Sequence, residues 1–374
     1  MKKVYLDNAA TTQILPEVVQ EMIKVMNEDF GNASSTHTFG RHAKSLLELS
    51  RKSIAKELHA TAQEIIFTSG GTEGNNWILR NAVKEIKVSR IISSRIEHHA
   101  VLHTIEALER EFGVEVCYVN VQTDGNIDIT HLVELLSDSK PTLVSLMHVN
   151  NETGNILDLE RVARICKQHQ VYFHSDTIQS VGKTAIDLRI IPVDFIVASA
   201  HKFHGPKGVG FVFARKGLTL NNMLFGGDQE KGLRPGTEAT HNVVGMAKAL
   251  ELSYANLEIH TEQITRLKKY LLNQINAHFP GFKINGNSGG FYNMTNLQLP
   301  VSDEKTAMIL FHLDMKGIAV SRGSACQSGS VKPSHVLAEM LSAADLKRPS
   351  LRISLSHFNT IEDIDYLIEV LRTV

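Results

Sequence analysis

Between about residues 60 and 215, short apolar, β-branched runs alternate with segments whose apolar residues recur at helical spacing. That alternation is the mark of βαβ units around a mostly parallel sheet. EIIF, RIISS, VEVCYVNV, PTLVSLMHV and VYFHSD predict strands, and DFIVASA and VGFVFA predict a further pair separated by HKFHGPKG. AVLHTIEALEREF predicts a helix with Val101, Ile105 and Leu108 on one face, and DLERVARICKQHQ predicts another. From Thr237 to about Phe279 the pattern is helical and charge-laced, with no proline until Pro280, and reads as a helical link. Beyond it FKING, FYNMTNLQLP, GIAV and SLRISLS predict strands, with helices near Lys305 to Asp314 and from about Ile361. The expectation is an α/β protein with a large sheet domain over residues 15–255 and a smaller α+β domain formed by residues 1–14 and 256–374. In open parallel sheets ligands bind beyond the carboxyl ends of strands, so the loops after these runs are where chemistry is expected.

Composition narrows the class. The chain has 374 residues, 43% of them hydrophobic and 21% charged, with a formal charge of −1. Such a balance provides no broad field for nucleic acid or anionic membrane and leaves small molecules and other proteins as partners. The start, MKKVYLDNAATTQ, reaches Asp7 and Asn8 before any apolar run of signal-peptide length, so a cytoplasmic protein is expected. Three cysteines, at 117, 166 and 326, show no CxxC spacing and suggest neither a disulfide framework nor a thiolate metal site.

Several loops carry residues suited to one kind of chemistry. SAHKFHGPKG places Lys202 just after a strand, where a desolvated amine can form a Schiff base with an aldehyde cofactor, and Ser199 and His201 beside it can donate to a phosphate. TSGGTEGNN sets Gly71 and Thr72 at a strand-to-helix turn, a natural phosphate cradle, and it lacks the spacing of a Walker loop. HSDTIQ ends a buried-looking strand with Asp176, whose carboxylate needs a cation such as a protonated pyridine nitrogen, and Gln179 can bond a ring hydroxyl. EHHAVLHT offers His98 and His99 at another strand exit, one for stacking on a flat ring or moving protons and one for structure. No acid or cysteine stands at ligand spacing to them, so no metal is expected. Cys326 lies among small polar residues in SRGSACQSGS, suited to a presented thiolate, whereas Cys117 and Cys166 fit core packing. Arg352 in SLRISLS can pair bidentately with a carboxylate. Alone, each is ordinary: a solvated loop lysine, a capped turn, a helix cap or a strand arginine.

Together, YLDNAATT, FGNASSTH, SGGTEGNN, HSDTIQ, SAHKFHGPKG, GSAC and SLRISLS occur in order across nearly the whole chain. The sequence thereby resembles the cysteine desulfurases of the class V aminotransferase family, in particular group I, the NifS and IscS type, whose longer cysteine loop GSAC resembles. The resemblance implies a fold-type I homodimer with pyridoxal 5'-phosphate linked to Lys202, Asp176 at its pyridine nitrogen, and Gln179 and Asn151 at the ring hydroxyl and substrate side. It further implies Thr72, Ser199 and His201 at the phosphate, with Gly71 in the same turn and Thr237 reaching the phosphate of the neighbouring subunit. His98 would stack on the ring and move protons, and Arg352 would hold the substrate carboxylate. L-cysteine would become L-alanine, with its sulfur taken by Cys326 as a persulfide and passed to an acceptor protein such as an iron-sulfur scaffold. Gln327 and Gly329 depart from the residues usual beside that cysteine. Rival readings are another class V reaction, aminotransfer or selenocysteine lysis, and a cofactor-binding scaffold without catalysis.

Overall fold

The protein is described here from a computed structural model, which describes residues 2–301, 308–322 and 334–373. Its elements in chain order are β1 (Val4–Tyr5), α1 (Pro16–Glu28), α2 (Thr38–Glu57), β2 (Ile65–Thr68), α3 (Gly71–Lys84), β3 (Arg90–Ser93), α4 (His99–Phe112) and β4 (Glu115–Tyr118). Then come α5 (Ile129–Leu135), β5 (Thr142–Ser145), α6 (Leu159–Gln168), β6 (Tyr172–Asp176), β7 (Phe195–Ser199), β8 (Gly210–Ala214), α7 (Thr240–Ala255) and α8 (Leu257–His278). The remaining elements are β9 (Lys283–Ile284), β10 (Met294–Gln298), α9 (Ile309–Met315), β11 (Ile318–Ala319), α10 (His335–Ala338), β12 (Ser350–Ser354) and α11 (Ile361–Leu371).

Among the described residues, the main sheet has seven strands in the order β2-β8-β7-β6-β5-β3-β4. Neighbours from β7 through β6, β5 and β3 to β4 run parallel, while β8 lies antiparallel between β2 and β7. Parallel strands are covered on both faces, which is why RIIS, TLVS and FIVAS read as continuous rather than alternating apolar runs, and all three are buried throughout. One face packs Phe173, Ile196 and Phe211 against Leu47 and Ile54 of α2, Val162 of α6 and Met246 of α7. The other packs Ile91, Leu143, Phe195 and Val197 against Trp77 and Ile78 of α3 and Val101 and Ile105 of α4. Because β8 reverses direction, β2, β3, β5, β6 and β7 all end on one edge. The loops carrying Gly71, His98, Asn151, Asp176 and Lys202 therefore converge there.

A second hydrophobic core joins α8, α9 and α11 to a three-stranded antiparallel sheet, β12-β10-β9, and to the parallel pair of β1 and β11. The helical stretch read after Thr237 is two helices, broken at Asn256, because α7 buries Val243, Met246 and Leu250 in the first core and α8 buries Ile264, Leu267 and Leu271 in the second. Cys166 is buried, as its helical pattern predicts. Cys117 packs against the first core, as expected, though less fully. It is only half-buried, because β4 is an edge strand, and its sulfur lies near Glu115.

An ion pair closes the first core near the start of β2. Arg51 donates to both oxygens of Glu230, at 2.7 and 2.6 Å, to the carbonyl of Ile65 at 2.9 Å, and lies over the ring of Phe67. Glu230 also accepts from Phe67 N at 2.8 Å. The two side chains are 4% and 3% exposed, so removing one partner leaves a buried charge without its counterion. Glu230→Ala is expected to cost about 3 kcal/mol or more in urea unfolding. The double replacement Arg51→Met with Glu230→Leu is expected to cost less than the sum of its two single changes, and strict additivity would show that the pair is uncoupled.

Candidate active site

The amine of Lys202 is held by main chain. Its Nζ donates to the carbonyls of Ala9 and Ala10, both at 2.7 Å, so the segment after β1 supplies two acceptors to a side chain that follows β7. The same segment is pinned further on, where Thr12 N and Oγ1 donate to His201 O at 2.9 Å and Thr12 Oγ1 accepts from His204 N at 2.7 Å. His201 bonds Thr11 through Nδ1 at 3.1 Å. Burial and the neighbouring lysine charges push its imidazole down to about 4, so it is neutral at physiological pH.

Asp176 ends β6 and is 4% exposed. It accepts from Asn75 Nδ2 at 2.7 Å and from Ile178 N at 3.0 Å. These bonds orient a buried relay. With its NH2 turned to Asp176, Asn75 must present its oxygen to His174 Nε2 at 3.2 Å, so that nitrogen carries the proton. His174 Nδ1 then accepts from Ser145 Oγ at 2.9 Å. His174 is fully buried and its basicity is pushed down to about 3, in keeping with a neutral ring.

His98 caps α4, with Nδ1 accepting from Ala100 N at 3.0 Å. The cap bond needs an unprotonated Nδ1, which puts the ring proton on Nε2. Burial lowers its basicity, a shift the Asp176 charge opposes and the Lys202 charge adds to. His99 lies 4.8 Å from His103 and 4.4 Å from His335, ring centre to ring centre. An open cleft of about 330 Å³ is lined by Thr72, Asn76, His98, His99 and His103.

The turn before α3 suits an anion. Gly70 has φ +149, a conformation that favours glycine, and a Cβ on Gly71 would stand 2.0 Å from Ile178 Cδ1. Gly70 caps the helix without a side-chain bond, and Ser199 Oγ lies 3.5 Å from where a Gly70 Cβ would be. The first N–H groups of this 14-residue helix, with the nearby Ser199 hydroxyl, form a turn of the polarity that receives an anion. Thr237 lines a different cleft, with Thr68, Ser69 and Arg234.

Arg352 is 1% exposed rather than a surface residue of its strand. Nη2 donates to Asp7 Oδ1 and Nη1 to Asn151 O, both at 2.8 Å, while Nε has no partner among the described residues. Asp7 Oδ2 accepts from Ser321 Oγ at 2.8 Å. On the other flank of the segment that carries Cys326, Ser334 donates to Glu152 and His335 Nε2 donates to Glu97 O at 2.9 Å. Cys326 itself lies outside the described residues. The residues on either side of its segment are nevertheless tied to this site.

Sequence reasoning passed over Asp7, Asn75, Glu97, Glu152 and His174. Asp7, Asn75, Glu97 and His174 sit inside or beside strings already singled out, YLDNAATT, TSGGTEGNN, EHHAVLHT and HSDTIQ. The Ala9 and Ala10 carbonyls leave no side-chain signal at all.

The aminotransferase class-V family model matches residues 4–367 of this chain. The chain is 40% identical over 375 residues to "Cysteine desulfurase IscS" of Clostridium botulinum (strain Kyoto / Type A2), covering 99% of this chain and 94% of that protein. It is 39% identical over 376 residues to "Cysteine desulfurase IscS" of Dictyoglomus turgidum, covering 100% and 94%. Among solved structures it is similar to a "NIFS-like protein", with a TM-score of 0.91 at 34% identity, covering 100% of this chain and 99% of that one. It is also similar to "SspA in complex with cysteine", with a TM-score of 0.82 at 31% identity, covering 96% and 100%.

Glu97, at the end of the loop after β3, carries a testable pH dependence. Its Oε1 accepts from Ser94 Oγ and Met147 N, both at 2.9 Å, and burial, aided by the Asp176 charge, raises its carboxyl to about 8. Between its ordinary value of 4.5 and about 8 the folded protein holds a proton that the unfolded chain has released, so stability from this group falls as pH rises through that window. Glu97→Gln is expected to raise the melting temperature relative to the parent at pH 8 and to change it little at pH 5. An equal effect at both pH values would refute the assignment.

Proposed function

Because the chain belongs to the aminotransferase class-V family, we propose that it is a pyridoxal-phosphate-dependent cysteine desulfurase in which Lys202 holds the cofactor and Cys326 takes the sulfur. The observation that carries this reading is the convergence at one sheet edge of an amine after β7, a buried carboxylate ending β6 and an imidazole after β3. The residues present fit the cofactor. Asp176 is a buried carboxylate whose partners are neutral N–H donors, and a pyridinium would supply the cation that such a group calls for. The turn before α3, with Gly71, Thr72, Ser199 and His201, would hold the phosphate, and Gln179 would face the ring hydroxyl. Thr237 would act across a homodimer.

When bound, pyridoxal phosphate supplies the electron sink that weakens bonds at the carbons of cysteine. This chain's residues do the rest. Arg352 binds the substrate carboxylate through its guanidinium, oriented by Asp7 and the Asn151 carbonyl. Lys202, at its Nζ, would take and return the substrate proton. His98, with its proton on Nε2, serves as the donor on the other side. The Cys326 thiolate attacks the substrate sulfur, forming an S–S bond as the Cβ–S bond breaks. The bonding pair stays with carbon and is protonated as alanine forms, and the sulfur remains on Cys326 as a persulfide for an acceptor.

Other class V reactions need the same lysine and aspartate but not the cysteine. Purified protein is expected to show a visible absorbance band and to convert cysteine to alanine and sulfide. Lys202→Ala is expected to lose the band. Cys326→Ala is expected to keep the band and lose sulfide release from cysteine by at least about a hundredfold. Full cysteine turnover by Cys326→Ala would overturn the sulfur-transfer step, and aminotransfer with no sulfide from the parent would favour the aminotransferase reading.

A further inference from the structure

Gln179 and Lys202 share one acceptor. Gln179 Nε2 donates to Ala9 O at 2.8 Å, and the same carbonyl accepts from Lys202 Nζ at 2.7 Å. Four residues beyond Gln179, Lys183 Nζ donates to Gln179 Oε1 at 3.3 Å. Lys183 is 8% exposed, and the charges that act on it are those of Lys202 and Arg352, both cations. A buried amine among cations is costly, and an unbranched apolar side chain would fill the space without that cost. The fold alone does not call for a lysine here.

The donor inventory shows what the amine does. Gln179 has one nitrogen and one oxygen on its amide, and the oxygen is the atom that faces Lys183 Nζ, which donates to it whether charged or neutral. The Ala9 carbonyl has only lone pairs, so the atom facing it is the amide nitrogen. Opposed partners on its two ends hold the Gln179 amide against a flip. They leave its second N–H without a partner among the described residues.

We propose that Lys183 is a positioning residue for the chemistry at Lys202: its Nζ donates to the Gln179 oxygen and so holds that amide with its NH2 at the Ala9 carbonyl it shares with Lys202. The inference rests on the function proposed above. The groups that face Lys183 are consistent with it. Lys202 follows β7 and Arg352 lies on β12, and both are cationic. His201 and His204, which follow β7, feel its charge and are each pushed down to about 4. His260 of α8 and His357 after β12 line the small cavity beside Lys183, with basicity lowered by burial, to about 3 for His357. All four rings are therefore neutral near pH 7.5, and Asp7 is bonded to Arg352. Burial and the two cations push Lys183 itself down to about 7.

The test is a pH titration of the visible band of the full chain loaded with pyridoxal 5'-phosphate, in the parent, Lys183→Met, Gln179→Leu and the double variant. Lys183→Met releases the Gln179 amide, and loss of its oriented N–H donor at the site favours a proton on the Lys202 nitrogen, so the midpoint is expected to move upward by about one pH unit, while Lys183→Arg, which restores a donor, is expected to move it back toward the parent. In the Gln179→Leu background the same change is expected to have less than about half that effect, because the amide it orients is gone. Should Lys183→Met give no folded protein by circular dichroism, Lys183→Gln serves, with the same expected direction. An unchanged midpoint, or an equal shift in both backgrounds, would overturn the positioning role. Absence of a visible band in the parent would instead count against the cofactor reading.

Discussion

The site depends on the hold that the segment after β1 has on the loop after β7. Two carbonyls, of Ala9 and Ala10, accept from Lys202, and Thr12 bonds both His201 and His204. On its other side the segment is stitched to the second core, with Leu6 N bonded to Ala319 O and Asn8 N and Nδ2 to Ser354 O. One short stretch of backbone thus bridges the two hydrophobic cores and reaches the amine. If it shifted, the amine, the Gln179 amide and the Arg352–Asp7 pair would all lose a partner.

Around that hold, two kinds of order meet. The sheet edge contributes rigid placement, since Asp176, Ser199 and the turn before α3 stand on strand ends packed on both faces. The polar groups contribute direction. Asp176 sets Asn75, which sets His174, which sets Ser145, and the cap at Ala100 sets the proton of His98. Each group is fixed by donors and acceptors of known kind, so the protonation pattern follows from the bonds rather than from the electrostatics alone.

The second core brings the substrate-side groups to the same edge. Arg352 is buried on β12 and reaches across to the Asn151 carbonyl in the loop after β5, while Asp7 joins it to Ser321. Glu152 and the Glu97 carbonyl hold Ser334 and His335 on the far flank. Groups that would receive the substrate carboxylate are therefore continuous with the flanks of the segment that carries Cys326.

By itself the sequence determined the element types and the strand-end position of each polar motif, because apolar runs and helical spacing are local properties and a buried parallel strand cannot avoid showing them. The ordered strings from YLDNAATT to SLRISLS likewise carried the family, since residue order survives without coordinates. Only the tertiary structure decided which residues meet. That Arg352 is buried against Asp7, 345 positions away in the chain, that His99 rather than His98 joins the packed rings, that Cys117 lies on an edge strand, and that two alanine carbonyls hold Lys202 are all long-range facts. Backbone acceptors have no residue identity to read, and a pairing across the chain is set by how two cores pack, which no local pattern encodes.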